Sequence, residues 1–227
     1  MDALDQLAPE AAALLARVDA TLARCGADVD HPVWPLLRRV RALPGEVVSA
    51  LAEVRPGPLA AAGSPLRSLA EGYGEEHVPD LPADVWRGAG AESFARRWSA
   101  MSAHLDGGPD TLTDRLVDTA GYLDAVAGWL AQARDSLARA LAEVLTSAEA
   151  VRVRTARMSD DWSAVVPPEV GRACADIAAH VLRQIAEAHE RGRTMLDEWP
   201  PRLAELAFYA TASGSAPGLT AETEVRP

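Results

Sequence analysis

The sequence predicts an all-α protein, an elongated antiparallel helical bundle. Alanine, leucine and arginine dominate the chain, whereas isoleucine, phenylalanine and tyrosine occur only two, two and three times. Alanine and leucine favour helices, while strands prefer β-branched and aromatic residues. Apolar residues also recur at spacings of three and four, which places them on one face of a helix.

The N-terminal segment, residues 1–58, is expected to be helical and to pack on the bundle. A first helix is predicted over residues 9–25, with Pro9 in its opening turn and Gly26 after its end. A shorter helix follows, for which Asp30 is the expected N-cap, and then a third short helical piece.

The middle segment, residues 59–158, carries the strongest helical pattern. A helix over residues 59–72 leads into a proline-marked loop, and a second helix begins after Trp86 and runs to about Leu105. After a break rich in glycine, one long helix is predicted over residues 111–157. Its apolar residues alternate in threes and fours, close to a heptad seam. We expect this seam to be the face that meets other helices or a partner; it includes Leu123, Val126, Leu130, Leu137 and Leu141.

The C-terminal segment, residues 159–210, is predicted to contain one more helix, opened by Pro167-Pro168 and continuing to about Trp199. Residues 211–227 are small, polar and rich in turn-forming residues, which predicts a disordered tail.

The charge and hydropathy of the chain exclude several classes of function. The net charge is −11, which argues against nucleic-acid binding because phosphate contacts need clustered cations. No apolar run is long enough to cross a bilayer. The first residues are acidic and lack the positive start and apolar core of a signal peptide. We therefore expect a protein that is secreted without a cleavable signal peptide, or one that is cytoplasmic.

Side chains suited to catalysis or metal binding are scattered. Asp176 and His180 lie one helical turn apart, with His189 further along, and His104 could join them only through the fold. No spacing typical of a zinc site, a phosphate loop or an activated nucleophile occurs. The sequence therefore predicts no enzyme, no cofactor and no metal site.

The two cysteines do not form a redox motif in the sequence. Cys25 and Cys174 are far apart in the chain, and each fits a buried or surface thiol of a helical protein. Whether they pair stays open at this level.

One local motif stands out, at Trp86-Arg87-Gly88. A tryptophan and a glycine two residues later precede a helix in which Phe94 and Trp98 lie four residues apart, on one face. The glycine permits a tight turn, and the indole can close the apolar end of a helical hairpin. This motif resembles the WXG family, the ESX-like small helical proteins of type VII secretion systems. The resemblance covers about residues 59–150.

The resemblance implies a non-enzymatic interaction protein. It implies an antiparallel hairpin whose turn is the Trp-x-Gly motif, and a role as a type VII secretion substrate or as the partner or chaperone of one. The partner would be a protein, either another WXG-like chain or a second copy of this one. The family's export signal, Tyr-x-x-x-Asp/Glu, is missing: Tyr73, Tyr122 and Tyr209 are followed at that offset by other residues. The alternative is a cytoplasmic structural or regulatory helical bundle unrelated to secretion.

Overall fold

The computed structural model describes residues 2–75, 87–105, 111–156 and 166–199. All regular structure in these ranges is α-helical, which confirms the predicted all-α fold. The helices are α1 (Ala3–Cys25), α2 (Val33–Val40), α3 (Pro44–Glu53), α4 (Pro56–Glu75), α5 (Ala89–Leu105), α6 (Leu112–Leu145), α7 (Ala148–Thr155) and α8 (Pro168–Glu198). The segment predicted as a disordered tail lies outside the described residues.

Helix α1 begins six residues before the predicted start at Pro9. Asp2 caps it, because the Asp2 carboxylate accepts from the Asp5 N–H while the Asp5 carboxylate accepts from the Asp2 N–H, each at 3.1 Å. This reciprocal capping box satisfies two N–H groups that an α-helix leaves without partners. Pro9 is exposed inside the helix rather than at its opening.

The helix start predicted at Asp30 also needs correction. Helix α2 has Pro32, not Asp30, at its N-cap, and ends at Arg41 in the left-handed conformation with φ 59°. Helix α6 is capped by Thr111, whose hydroxyl accepts from the Asp114 N–H at 3.3 Å. Short side chains with one oxygen can serve as caps at several neighbouring positions, so the sequence pattern alone does not select among them.

The long helix predicted over residues 111–157 is two helices. It ends at Leu145, and Ser147 starts α7 by accepting the Ala150 N–H with its hydroxyl at 3.1 Å. Helix α7 packs on both α1 and α8. The apolar stripe of α7 therefore belongs to the same core as α6, although the two are not one rod.

The large apolar side chains are concentrated at one end of the molecule, which we call the core end. It consists of α1, α2, α3 and α7, the part of α6 from Leu137 onward and the part of α8 up to Ile185. Its wholly buried residues include Leu15, Val18, Leu137, Leu141, Val181 and Leu182. Burial of this leucine and valine surface supplies most of the hydrophobic stabilisation of the fold.

The other end, which we call the arm end, consists of α4, α5, the N-terminal half of α6 and the C-terminal turns of α8. Helix α4 runs antiparallel to α6 and packs along it. Arg67 of α4 pairs with Asp124 of α6 at 2.8 Å. The C-terminus of α8 reaches the same region, where Trp199 stacks edge-on against Tyr122 with ring centroids 5.6 Å apart.

The N-terminal helices are joined to α6 by a buried arginine. Arg134 is 1% exposed, and its guanidinium holds the Asp2 carboxylate with two hydrogen bonds of 2.6 and 2.9 Å. It also donates to Asp5 at 2.6 Å and to the carbonyl oxygens of Leu51 and Val54, at the end of α3. One side chain thus connects the start of α1, the end of α3 and the middle of α6.

Candidate interaction surface

Helix α5 follows Gly88, whose positive φ is one that glycine adopts more readily than other residues. Gly88 has φ +105°, a region that side-chain-bearing residues rarely adopt, and its carbonyl accepts the first helical hydrogen bond, from the Glu92 N–H at 3.1 Å. The glycine of the Trp-x-Gly motif therefore has the role of a turn residue before a helix. Trp86, the other residue of the motif, lies outside the described residues.

None of the residues of α5 is buried. The helix packs on α6 along a face that leaves Trp98 and Leu105 half-buried. Phe94 and Met101 lie beside that face and are 37% and 44% exposed. Phe94 stacks on Trp98 with ring centroids 5.7 Å apart. We call Phe94, Trp98 and Met101 the α5 surface; it is an apolar strip that α6 covers only in part, so that Phe94 and Met101 remain exposed.

The charges of α5 differ in sign from those of the chain as a whole. Residues 87–105 contain three arginines and one acidic residue, namely Arg87, Arg96, Arg97 and Glu92. This segment therefore has a positive charge, whereas the whole chain carries a net charge of −11. The arginines are exposed, and Arg96 donates to the Ser93 hydroxyl at 3.2 Å. Arg97 lies beside the α5 surface, three residues after Phe94 and four before Met101, whereas Arg96 lies on the other side of the helix.

The resemblance implies that the two helices joined by the Trp-x-Gly motif pack against each other. The described contacts show a different pairing of the helices. Helix α4 packs on α6, and among the described contacts the packing of α5 is likewise on α6. The Trp-x-Gly motif therefore precedes an additional helix within the connection between the two antiparallel helices.

The residues of the predicted partner face of α6 differ in how deeply they are buried. Leu130, Leu137 and Leu141 are buried inside the chain's own core, while Leu123 and Val126 at the arm end are half-buried. Leu137 and Leu141 therefore do not form a surface for a partner, which corrects that part of the prediction. A heptad-like stripe marks a buried face and does not reveal whether the covering helix belongs to the same chain.

The arm end exposes further apolar side chains that the sequence analysis missed. Leu69 of α4, Val117 of α6 and Leu196 of α8 are each nearly half exposed. Among the residues that the structure describes, the apolar side chains buried at this end are mostly alanines, with Leu130 as the one large side chain; they are Ala70, Ala120, Ala127, Leu130, Ala133, Ala186 and Ala188. Alanine buries little surface, so the arm end gains less from its internal packing than the core end does.

The candidate metal-binding residues are dispersed by the fold. Asp176 Oδ1 lies 3.1 Å from His31 Nε2, and His180 Nε2 lies 2.9 Å from Glu143 Oε2. The second pair is an ion-pair contact without a hydrogen bond, because the ring N–H does not point at the oxygen. In the part of the chain that the structure describes, no three such side chains are grouped to hold a metal ion.

A half-buried carboxyl lies between α1 and the start of α3. Asp19 accepts from the Gly45 N–H with its two oxygens, at 3.0 and 3.3 Å. Burial raises its pKa to about 6, against the effect of that hydrogen bond, and the nearby Glu46 charge adds to the rise. A Cβ on Gly45 would stand 2.5 Å from Asp19 Oδ2, so the absence of a side chain there permits the contact.

Comparison of the chain with protein-family models, with curated proteins and with solved structures finds no match. Within the described ranges, none of the helices is both long and apolar enough to cross a membrane.

Proposed function

We propose that this chain is a non-enzymatic helical interaction protein that binds a protein partner through the α5 surface. The observation that carries the proposal is the packing of α5. This helix carries a strip of two aromatic residues and one methionine, and none of its residues is buried. Single exposed apolar residues are ordinary, whereas a contiguous strip on one helix is typical of a docking site.

The chemistry of the α5 surface defines the partner that it fits. Phe94, Trp98 and Met101 follow the spacing by which an amphipathic helix enters an apolar groove. Arg97 lies three residues after Phe94 and four before Met101, so it borders this strip and favours an acidic group at the rim of the groove. The exposed Leu69 and Val117 extend the apolar area onto neighbouring helices of the arm end.

A more specific proposal rests on the resemblance to the WXG family. In this proposal the chain is a type VII secretion substrate, or the partner or chaperone of one, and it binds another WXG-like chain or a second copy of itself. The motif Trp86-Arg87-Gly88 stands directly before the exposed helix, and the φ of Gly88 suits the turn residue of that motif. Because the tyrosine export signal is missing, a partner chain would supply it.

The alternative function is a cytoplasmic structural or regulatory bundle unrelated to secretion. The burial of Leu137 and Leu141 in the chain's own core favours it, because the core end needs no partner to cover its apolar stripe. Under this alternative, substitution of Gly88 lowers stability and changes no binding.

The secretion proposal is tested by the distribution of the protein between culture filtrate and cell lysate. The native host is compared with a strain that lacks its type VII secretion ATPase. We expect the protein in the filtrate of the native host only. Confinement to the lysate in both strains would contradict export and leave the partner-binding proposal to be tested by itself.

Two variants connect export to the α5 surface. Met101→Ser changes an exposed residue of that surface, and Val151→Ser changes a comparably exposed residue of α7 at the core end. We expect the first substitution to reduce the secreted fraction and the second to leave it unchanged. Equal secretion of both variants would show that export does not depend on the α5 surface.

A further inference from the structure

The two cysteines lie on opposite sides of the contact between the end of α1 and the first turns of α8. Cys25 is the last residue of α1 and is exposed, and the chain then turns through Gly26 with φ 67°. Cys174 is completely buried on α8. Both are free thiols in this structure.

The contacts of the two thiols place them against the same residues. The Cys25 thiol donates to the Thr21 carbonyl oxygen at 3.1 Å, and the Cys174 thiol hydrogen-bonds the Thr21 side chain. On α8, a Cβ at Gly171 would stand 3.8 Å from Cys25 Sγ. Gly171 and Cys174 are three residues apart on one helix, so their Cβ positions are about 5–6 Å from each other. The two sulfurs are therefore neighbours across the α1–α8 contact.

The two thiols differ in access and in acidity. Cys25 lines an open cavity together with Gly26, Pro168 and Arg172, so a small reagent can reach it. Burial raises the pKa of the Cys174 thiol, which keeps it protonated and shields it from reagents in solution. The first reaction therefore belongs to Cys25.

We propose that Cys25 is a thiol-modification site for low-molecular-weight disulfides such as glutathione disulfide, and that Cys174 is its resolving thiol. The Cys25 thiolate attacks one sulfur of the reagent, the reagent's S–S bond breaks, and the released thiolate takes up a proton. The Cys174 sulfur then attacks the Cys25 sulfur of the mixed disulfide, and its proton passes to the departing small thiolate, which leaves as the second small thiol. The two protein thiols are oxidised to one disulfide, and the reagent is reduced to two thiols.

The resulting bond would join the end of α1 to the start of α8. Cys25 occupies a helix end, where residues shift more readily than in a helix interior, and Gly171 leaves space beside it. A bond between residues 25 and 174 would close most of the chain into one loop, which restricts the unfolded state. The protein would then resist unfolding more strongly in an oxidising compartment than in a reducing one. This inference stands independently of the proposed function.

The test equilibrates the purified, reduced full-length chain with mixtures of glutathione and glutathione disulfide at low protein concentration. Samples are quenched by alkylation and measured by intact mass. Because the chain has two cysteines, the loss of two hydrogens in a monomer identifies the Cys25–Cys174 bond. The same equilibrium is measured in concentrated urea. We expect the constant for disulfide formation to be at least about ten-fold larger in the folded chain.

Two variants separate the roles. Cys174→Ala is expected to hold one glutathionyl group on Cys25, and Cys25→Ala is expected to react with no reagent while it remains folded by circular dichroism. Three results in the wild type would each overturn the proposal: no reaction, a persistent glutathionyl adduct, or a disulfide-linked dimer. A formation constant no larger in buffer than in urea would overturn it as well, even if Cys174→Ala does not fold.

Discussion

At the scale of single residues, Arg134 makes the largest set of polar contacts in the described structure. Removal of its guanidinium takes one donor from each of the Asp2 and Asp5 carboxylates and leaves the Leu51 and Val54 carbonyls at the end of α3 without this donor. We predict that Arg134→Met lowers the free energy of unfolding by about 3–5 kcal/mol. The measurement is urea denaturation followed by circular dichroism. Arg139→Met is the matched control, because Arg139 lies on the same helix with its side chain 70% exposed, and we expect a change within about 0.5 kcal/mol.

The same contact predicts a pH dependence of stability. The Arg134 guanidinium lowers the pKa of Asp2 from 3.8 to about 2. A carboxyl with a depressed folded-state pKa contributes stability above its unfolded pKa, and this contribution is lost as the pH falls from 3.8 toward 2. We predict that Asp2→Asn is less stable than the wild type at pH 7 and that the difference shrinks toward pH 2. A difference that stays constant over this range would contradict the assignment of the pair.

Asp19 predicts a pH dependence of the opposite sign. Burial raises its pKa from 3.8 to about 6, so the folded chain holds this proton more tightly than the unfolded chain does. Ionisation of Asp19 therefore lowers stability as the pH rises from 3.8 through 6. Asp19→Asn keeps an oxygen to accept the Gly45 N–H and carries no charge. We expect the variant to be more stable than the wild type at pH 8 and to lose that advantage near pH 4, as measured by thermal denaturation.

At the scale of helices, the packing of α6 on α8 depends on a glycine. A Cβ on Gly192 would stand 3.0 Å from the ring of Trp129, whose indole N–H donates to the Ala188 carbonyl at 2.8 Å. We predict that Gly192→Ala lowers the free energy of unfolding by about 1–3 kcal/mol, because the indole must move. Gly128→Ala is the control, since nothing lies within 4 Å of its Cβ position, and we expect it to stabilise the chain by about 0.5–1 kcal/mol. Equal effects of the two substitutions would contradict this packing.

Also at the helix scale, periodicity explains which elements could be predicted. The apolar spacing of α1, α6 and α8 correctly predicted helices, because burial on one face imposes a period near 3.6. The same spacing continued through Ser147 and concealed the break there, since a serine is tolerated within a helix and also caps the next one. Arg134 carries a charge and so resembles a solvent-facing residue. Its partners Asp2 and Asp5 lie at the far end of the chain, and only the tertiary fold brings them together.

The candidate site could be predicted only in part. The spacing of Phe94 and Trp98 correctly placed them near each other on one face of a helix. The sequence could not distinguish a strip covered by the chain, such as Leu137 and Leu141, from a strip left open, because both have the same local pattern. The exposed Val117 was missed for the same reason, since its burial depends on how α4, α5 and α8 surround α6.

At the scale of the whole molecule, the two ends should differ in local stability. The core end buries leucine and valine, whereas the arm end buries mostly alanine around Leu130. Regions with less buried apolar surface open with a smaller free energy. We predict that amide hydrogens of α4 and the first half of α6 exchange faster than those of α1 and the middle of α8, as measured by hydrogen–deuterium exchange with mass spectrometry. Uniform protection along α6 would contradict this difference.

The central claim is that the arm end binds a protein partner through the α5 surface. The most direct measurement is photo-crosslinking in the native host, with a photoreactive residue introduced in place of Met101. The same residue in place of Val151, an exposed apolar position of α7, is the control. We predict a discrete cross-linked species from position 101 and none from position 151. The claim is contradicted if position 101 gives no cross-linked species, or if both positions give the same ones.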